Sequence, residues 1–350
     1  MDIDSRISSF LQLGTFLRNH VEDENHPYVR MLSEASHRAS SENPWFIPEF
    51  ITLSLNSLGH ALEKENLLQW AGTYLSGLQS LENTGTIGVV MAGNVPAVGF
   101  HDFFCVLMAG YKIKARLSSS DRFLIPAMAE ILVQIDPRWR EKIEFRDGKL
   151  ENFDAVIATG NDNTSRYFDY YFGKYPHIIR KNRSGIALLD GSETDVSLGR
   201  VANDIMLYFG MGCRSVSKIY VPAGYNFDKL KEKLASFAHL IDHHKYANNY
   251  NYRKSIFLMN KIPFIDTGLL LVREDPSVHS PIAVLNYQYY NNLDDVTTDI
   301  QANFNSIQCI VSENHLPFST VLPGKTQFPA LWDYSDHVDT MNFLLSCFSQ

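Results

Sequence analysis

Tyr208-Phe209-Gly210-Met211-Gly212-Cys213-Arg214-Ser215 joins a run of helical amphipathic spacing, Val196 to Phe209, to an apolar run of strand length, Ser215 to Val221. Two glycines at such a junction leave room for a substrate to approach the cysteine. Arg214 beside it favours the thiolate, the nucleophilic form of the side chain. A cysteine is equally at home as a small buried hydrophobe, and the local sequence leaves both readings open. Cys105, inside an apolar helical run, and Cys309, inside Ile307-Gln308-Cys309-Ile310-Val311, read as core.

On either side of this segment, an alternation of strands and helices fills most of the chain. Upstream, Thr86 to Ala92, Tyr111 to Leu117, Lys142 to Phe145 and Phe153 to Ala158 read as strands. Between and after them, Ala97 to Ala109, with Pro96 near its first position, residues 122–134 and Asn163 to Phe172 read as helices. Around Cys213 the sequence predicts a strand at Gly185 to Leu189 and a helix over 227–240. Farther on it predicts strands at Ser255 to Met259, Thr267 to Val272 and Ile307 to Val311, and a short helix around Val338 to Leu345. The Asn/Tyr-rich stretches 246–252 and 286–292 read as loops. Residues 1 to about 80 carry only helical periodicity, as in Ile51, Leu55, Leu58 and Leu62. This order predicts parallel sheets with crossover helices, which gather ligands at the carboxyl ends of strands; Gly93-Asn94, Ser118-Ser119-Ser120 and Thr159-Gly160-Asn161 lie at such ends.

Composition narrows the function classes. With 350 residues, 45% of them hydrophobic, the chain can bury the cores of two ordinary domains. A formal charge of -8 offers no basic face for nucleic acid. The most membrane-like stretch, 87–109, is interrupted by Asn94, Pro96, His101 and Asp102 and reads as a buried strand and helix, so no membrane span is expected. The first residues lack a secretory pattern and are read as mature sequence. The four cysteines have no CxxC spacing, which suits a reducing cytoplasm. His239 and His243 stand at helical spacing without a third ligand, and no metal is expected.

Asn94 sits where a strand hands over to a helix. Its amide could donate to a developing oxyanion, or its side chain could cap the helix. Taken in order, Gly93-Asn94-Val95-Pro96, Ala109-Gly110, Lys114-Ala115-Arg116-Leu117-Ser118-Ser119, Ala158-Thr159-Gly160-Asn161 and Gly210-Met211-Gly212-Cys213 resemble the aldehyde dehydrogenase superfamily. Asn43-Pro44-Trp45-Phe46, the Cys213 segment and Leu331-Trp332-Asp333-Tyr334-Ser335-Asp336 look more closely like its acyl-CoA reductase branch, the LuxC-type fatty acyl reductases of bioluminescence.

The resemblance implies an α/β, aldehyde dehydrogenase-like fold of two α/β domains. Residues 1–180 would hold a helical N-terminal region and a Rossmann-like NADP-binding domain, to which 322–350 return; 181–321 would form the catalytic domain. It makes Cys213 the acylated nucleophile, with Asn94 and the Cys213 backbone N–H as the oxyanion hole. Arg116, Ser118 and Ser119 stand where the family holds the adenosine ribose, and Thr159, Gly160 and Asn161 where a turn approaches the pyrophosphate. His279 lies toward the nicotinamide by family analogy, or is a plain loop histidine. Because no carboxylate precedes Asp121 in Arg116-Leu117-Ser118-Ser119-Ser120, the expected cofactor is NADPH.

Two departures from the family pattern sharpen the expectation. Counting back from Cys213, the glutamate of hydrolytic relatives falls on Ile179, so water is poorly activated and a thioester can survive to accept hydride. The chain is also shorter than typical superfamily members, and the hairpin they use to oligomerise has no evident place, which leaves a homo-oligomer open. The reading is an NADPH-dependent, cytoplasmic reductase that converts a fatty acyl thioester, on coenzyme A or on a protein, to the aldehyde. An acyl-transferring partner enzyme is compatible with it. The competing readings are an oxidative aldehyde dehydrogenase and a non-catalytic nucleotide-binding scaffold.

Overall fold

The computed structural model describes residues 1–20, 25–80, 85–160 and 162–347. The chain divides into two units, Met1–Lys181 with Pro329–Gln350, and Asn182–Phe328. The return to the first unit thus comes at Pro329, later than the expected residue 322.

The first unit opens with helices α1 (Ile3–Arg18), α2 (Pro27–Glu42), α3 (Pro48–Ala61), α4 (Lys64–Thr73) and α5 (Leu75–Ser80). Asp2 caps α1 by accepting the Ser5 N–H, and Phe10, Leu13 and Leu17 form its buried face. Gly14 and Gly59 let α1 and α3 approach closely. A Cβ on Gly14 would lie 2.7 Å from the Leu62 Cβ, and one on Gly59 2.9 Å from the Gly14 carbonyl.

β1 (Thr86–Val90), α6 (Phe100–Met108), β2 (Lys112–Arg116), α7 (Leu124–Ile135), β3 (Ile143–Phe145), β4 (Ala155–Thr159), α8 (Asp162–Phe172) and β5 (His177–Arg180) follow. The five strands make one parallel sheet of order β3-β2-β1-β4-β5. The chain leaves β1 toward β2 on one side and later fills β4 on the other, so β1 and β4 flank the switch point where doubly wound sheets take ligands. Nearly every residue of α6 is buried, which explains the membrane-like run. Its Phe104 ring meets Phe10 edge-to-face at 5.0 Å and Trp70 in a tilted contact at 4.7 Å between centroids, and Trp139 packs edge-on against Phe10. β5 had no counterpart in the sequence reading.

The second unit runs β6 (Ser184–Leu188), α9 (Asp195–Met206), β7 (Val216–Pro222), α10 (Asp228–Leu234), α11 (His244–Met259), β8 (Ile265–Asp266), β9 (Leu271–Glu274), β10 (Val284–Tyr290), α12 (Leu293–Ala302) and β11 (Ile307–Val311). Its sheet has the order β11-β6-β7-β10-β9-β8, parallel except for the β8–β9 pair.

Several sequence expectations fail here for identifiable reasons. The expected strand 255–259 and loop 246–252 are both α11. His243 caps it by accepting the Tyr246 N–H at 3.3 Å, and Tyr246, Tyr250 and Phe257 bury one face, while polar asparagines along the rest disguise the helix as loop. The expected loop 286–292 largely belongs to β10. Its Asn286 is fully buried because its amide donates to the carbonyls of Ser277 and His279 and accepts from Arg273. The helix expected over 227–240 ends at Leu234 and continues as a 3-10 turn, Ala235–Asp242, which carries His239.

The chain then re-enters the first unit and ends in α13 (Thr340–Ser346). The Leu331-to-Asp336 motif is the staple. Trp70 donates to the Tyr334 hydroxyl and Tyr334 to Tyr74, each at 2.9 Å, and Tyr74 donates to Asp339. The Leu331 carbonyl meets His101, and Asp336 accepts the Lys181 N–H. Buried Arg180, at the end of β5, bonds both Asp102 and Thr340. Among the described residues no helix is long and apolar enough to cross a membrane.

Candidate functional site

In the first unit the last residues of β2 and β4 and the loops after β1, β2 and β4 bring Asn94, Arg116, Ser118, Ser119, Thr159 and Gly160 to the carboxyl edge of one sheet. Asn161 lies outside the described residues. The loop carrying Asn94 is not the helix start that Pro96 suggested. A turn intervenes, α6 begins at Phe100 with Gly99 in the capping position, and Asn94, exposed, is not that helix's cap.

This turn is built by its neighbours. Ala97 holds a left-handed conformation (φ 56°), a costly choice for a residue with a Cβ. The Asp121 carboxylate accepts its N–H at 2.7 Å, and Ser54 donates to the Pro96 carbonyl at 2.7 Å. Burial pushes the Asp121 carboxyl up to about 6, against the pull of the Ala97 and Leu124 N–H groups. Gly93 lets the two loops touch, because a Cβ there would fall 2.5 Å from the Ser118 hydroxyl.

The individual side chains differ in what they offer. The Ser118 hydroxyl accepts the Ser120 N–H at 3.2 Å and so shapes its own turn, whereas Ser119 is exposed. Asn43 donates to the Ser120 carbonyl at 3.1 Å, which ties the Asn43-Pro44-Trp45-Phe46 motif to this loop. The Gly160 N–H is engaged by the Arg180 carbonyl at 3.3 Å. Arg116 lines a cavity of about 510 Å³ together with Val90, Lys149, Tyr167, Tyr171 and Phe172. Lys149 Nζ stands 5.9 Å from the Tyr171 ring centre. Ser118, Ser119, Thr159 and Gly160 do not line it. Two cations among aromatic rings suit a purine and a phosphate, so this lining fits the adenosine end of a dinucleotide. Asn43 stood in the sequence only as part of a family motif, and Lys149 carried no sequence signal.

Cys213 belongs to the second unit, just before the amino end of β7. Its approach is strained: Tyr208, Phe209 and Gly210 have successive φ values of 56°, 57° and 70°. Such angles cost roughly 1–3 kcal/mol at each non-glycine residue and persist only where packing enforces them. Here Tyr208 and Phe209 are buried, with the Phe209 ring 4.7 Å from His243 and 5.4 Å from Tyr246.

Cys213 and Arg214 are the middle residues of a turn closed by Ser215 N–H to the Gly212 carbonyl at 3.0 Å. The buried Ser215 hydroxyl accepts the Gly212 N–H and the Gln327 amide, both at 3.1 Å. Gly185 is required on the far side, since a Cβ there would be 2.6 Å from the Arg214 carbonyl. Behind Gln327, the Asp204 carboxylate on α9 accepts from the Gly324 N–H, the Thr326 N–H and the Thr326 hydroxyl. Burial raises the Asp204 carboxyl, and those donors pull it back. Ser184 Oγ and His279 Nδ1, 2.9 Å apart, lie at the same sheet's amino edge. Cys105 and Cys309 are buried, and burial drives the Cys105 thiol well up. Among the described residues no group of three or more His, Cys, Asp or Glu could hold a metal ion.

The family model described as acyl-CoA reductase (LuxC) matches residues 52–245, more than half of the chain. A long-chain acyl-protein thioester reductase of Photorhabdus laumondii subsp. laumondii is 23% identical over 176 residues; the match covers 45% of this chain but only 36% of that protein's length. Among solved structures, the P. syringae indole-3-acetaldehyde dehydrogenase AldA, in complex with NAD+, superposes with a TM-score of 0.65 at 10% identity, covering 90% of this chain and 73% of that one. HpcC of Thermus thermophilus gives 0.64 at 11%, covering 94% and 80%. At such identities the likeness is one of fold, and the fold is aldehyde dehydrogenase-like, as the sequence led us to expect.

Proposed function

This chain belongs to the acyl-CoA reductase (LuxC) family, and from that premise we propose that it reduces a fatty acyl thioester to the aldehyde with NADPH, through an acyl group carried on Cys213. The observation that carries the reading is the turn Gly212–Ser215, which presents a half-buried cysteine with glycine before it and a rigid hydrogen-bonded frame behind it. Such a frame holds a nucleophile in one attack geometry, a source of several kcal/mol of rate enhancement.

In this reading the Cys213 thiolate attacks the acyl carbonyl, the donor thiolate departs, and a new thioester forms on the enzyme. The Cys213 N–H serves as a donor to the oxyanion, the role that the family resemblance also gives to the Asn94 amide, each such donor being worth about 3 kcal/mol in other enzymes. When bound, the reduced nicotinamide supplies hydride to the thioester carbon. The resulting hemithioacetal collapses as Cys213 leaves as thiolate and the aldehyde carbonyl forms. The cavity beside Arg116 and Lys149 receives the adenosine end, where two cations favour a 2'-phosphate. Asp121 does not compete for the ribose, because its carboxylate faces the Ala97 N–H.

The test is intact mass spectrometry after incubation with acyl-CoAs of graded length, without NADPH. One acyl adduct, mapped to Cys213 and discharged as aldehyde on adding NADPH, is expected. No adduct at any chain length, or an adduct on another residue, would overturn the reading.

A further inference from the structure

Gln327 lies 112 positions from Ser215 in sequence and yet its amide reaches the Ser215 hydroxyl, the same atom that receives the Gly212 N–H. Gln327 is itself held from behind. Gly324 adopts φ +82°, with the Arg200 side chain packed where a Cβ would stand, and the loop that follows is fastened to α9 by three donors on one carboxylate, Asp204. Asp204 is 1% exposed, Ser215 1%, Thr326 0% and Gln327 9%, so the four side chains are buried. We propose that Asp204, Thr326, Gln327 and Ser215 form a brace that fixes the Gly212–Ser215 turn and thereby aims the Cys213 thiol, Gln327 being its positioning residue.

The physical reason lies in how the donors are distributed. The turn is closed by one backbone bond, about which the two residues between its ends could pivot. A serine hydroxyl that accepts from both Gly212 and Gln327 has its lone pairs taken and its orientation set, which removes that freedom. An Asp204 carboxylate with three donors cannot be replaced by an amide without turning an N–H toward one of them. The four residues do not touch the substrate in this account. They act through the turn.

The proposal rests on Cys213 being the nucleophile, so the experiment uses two readouts, only one of which depends on acyl chemistry. Iodoacetamide alkylation of Cys213, followed by peptide mass mapping, reports the thiol directly. The acylation burst with an acyl-CoA reports the reaction. For Gln327→Ala both rates should fall about tenfold or more with KM for the acyl thioester nearly unchanged, as expected for lost alignment. Gln327→Glu is close to isosteric, and the Ser215 hydroxyl can turn its own proton to the carboxylate while still accepting the Gly212 N–H, so the bond survives with its direction reversed. Gln327→Met fills similar space with no such bond. Both rates should therefore stay within about threefold of wild type in Gln327→Glu and fall about tenfold in Gln327→Met, a split that simple loss of packing does not give.

Rates within twofold of wild type in a folded Gln327→Ala or Gln327→Met protein, or a Gln327→Glu protein as slow as Gln327→Met, would overturn the brace. If Gln327→Ala does not fold, Gln327→Met and Thr326→Val carry the same comparison. Slowed alkylation in the variants together with no acylation of the wild type keeps the brace and removes the reductase reading. Normal acylation with unchanged alkylation does the reverse.

Discussion

The Asp121 carboxylate accepts the Ala97 N–H at 2.7 Å, so the loop after β2 fixes the left-handed backbone of the loop that carries Asn94. Two of the segments read from sequence as separate pieces are one construction, and the bond between them has a pH dependence.

Burial raises the Asp121 carboxyl to about 6 from 3.8. The native state therefore holds this proton more tightly than the unfolded chain, and stability from this group is full below about pH 4 and lost as pH rises through about 6. The loss amounts to roughly 3 kcal/mol. Asp121→Asn keeps an oxygen for the Ala97 N–H and removes the charge. Its stability relative to wild type should rise across that window and be largest above pH 7; denaturant titrations at pH 4 and pH 7.5 measure it. An equal difference at both values would show that the carboxyl is not strained by burial.

Cys213→Ser should lose acylation and turnover by more than about a thousandfold, because a hydroxyl is a far weaker nucleophile than a thiolate. Cys105→Ser and Cys309→Ser should still acylate. Cys309 Sγ meets the Arg214 carbonyl at 3.6 Å, so its variant gives the more sensitive control for the turn. Radiolabelled acyl-CoA incorporation into the three variants decides between them.

Cofactor choice should follow charge at the edge of β2. Arg116→Ala should weaken NADPH binding about tenfold or more and NADH binding little, by loss of a charge-assisted contact to the 2'-phosphate. Lys149→Ala, on the same cavity, should act in the same direction but less, since its side chain is 73% exposed and screened. Ser119→Glu should turn preference toward NADH. Fluorescence titration with both cofactors gives the ratios. A wild type that binds NADH more tightly would move the adenosine site elsewhere.

What sequence made legible was what is local. β1 and β4 are largely buried and read as short apolar runs, and β2 alternates exposed and buried residues, so these strands and the loops that follow them could be placed. β5 escaped because its four residues alternate, with Ile178 and Arg180 buried and Ile179 half-buried between them. α11 and β10 escaped because buried tyrosines and a fully bonded Asn286 carry the composition of loops. The cysteine's surroundings were legible only as two glycines and an arginine. Gln327 and Asp204, which hold the turn, have partners more than a hundred positions away, and no periodicity signals such a contact.

The fate of the acyl enzyme should turn on Ile179. This residue pairs with Ala158 in the ladder between β4 and β5, and its side chain points to the face opposite Ile178, which joins the core of the first unit. An apolar side chain cannot take a proton from attacking water, so a thioester formed on Cys213 should hydrolyse slowly. Acyl-CoA alone should release one equivalent of coenzyme A in a burst and leave a long-lived adduct, and NADPH should then discharge it as aldehyde. Ile179→Glu should raise hydrolysis at the expense of aldehyde, with some loss of stability from a carboxylate placed at a half-buried position. The quantity to measure is the aldehyde-to-acid ratio of the wild type under saturating NADPH. Aldehyde in large excess is expected, and mainly free acid would place the chemistry with hydrolysis whatever the cysteine's role.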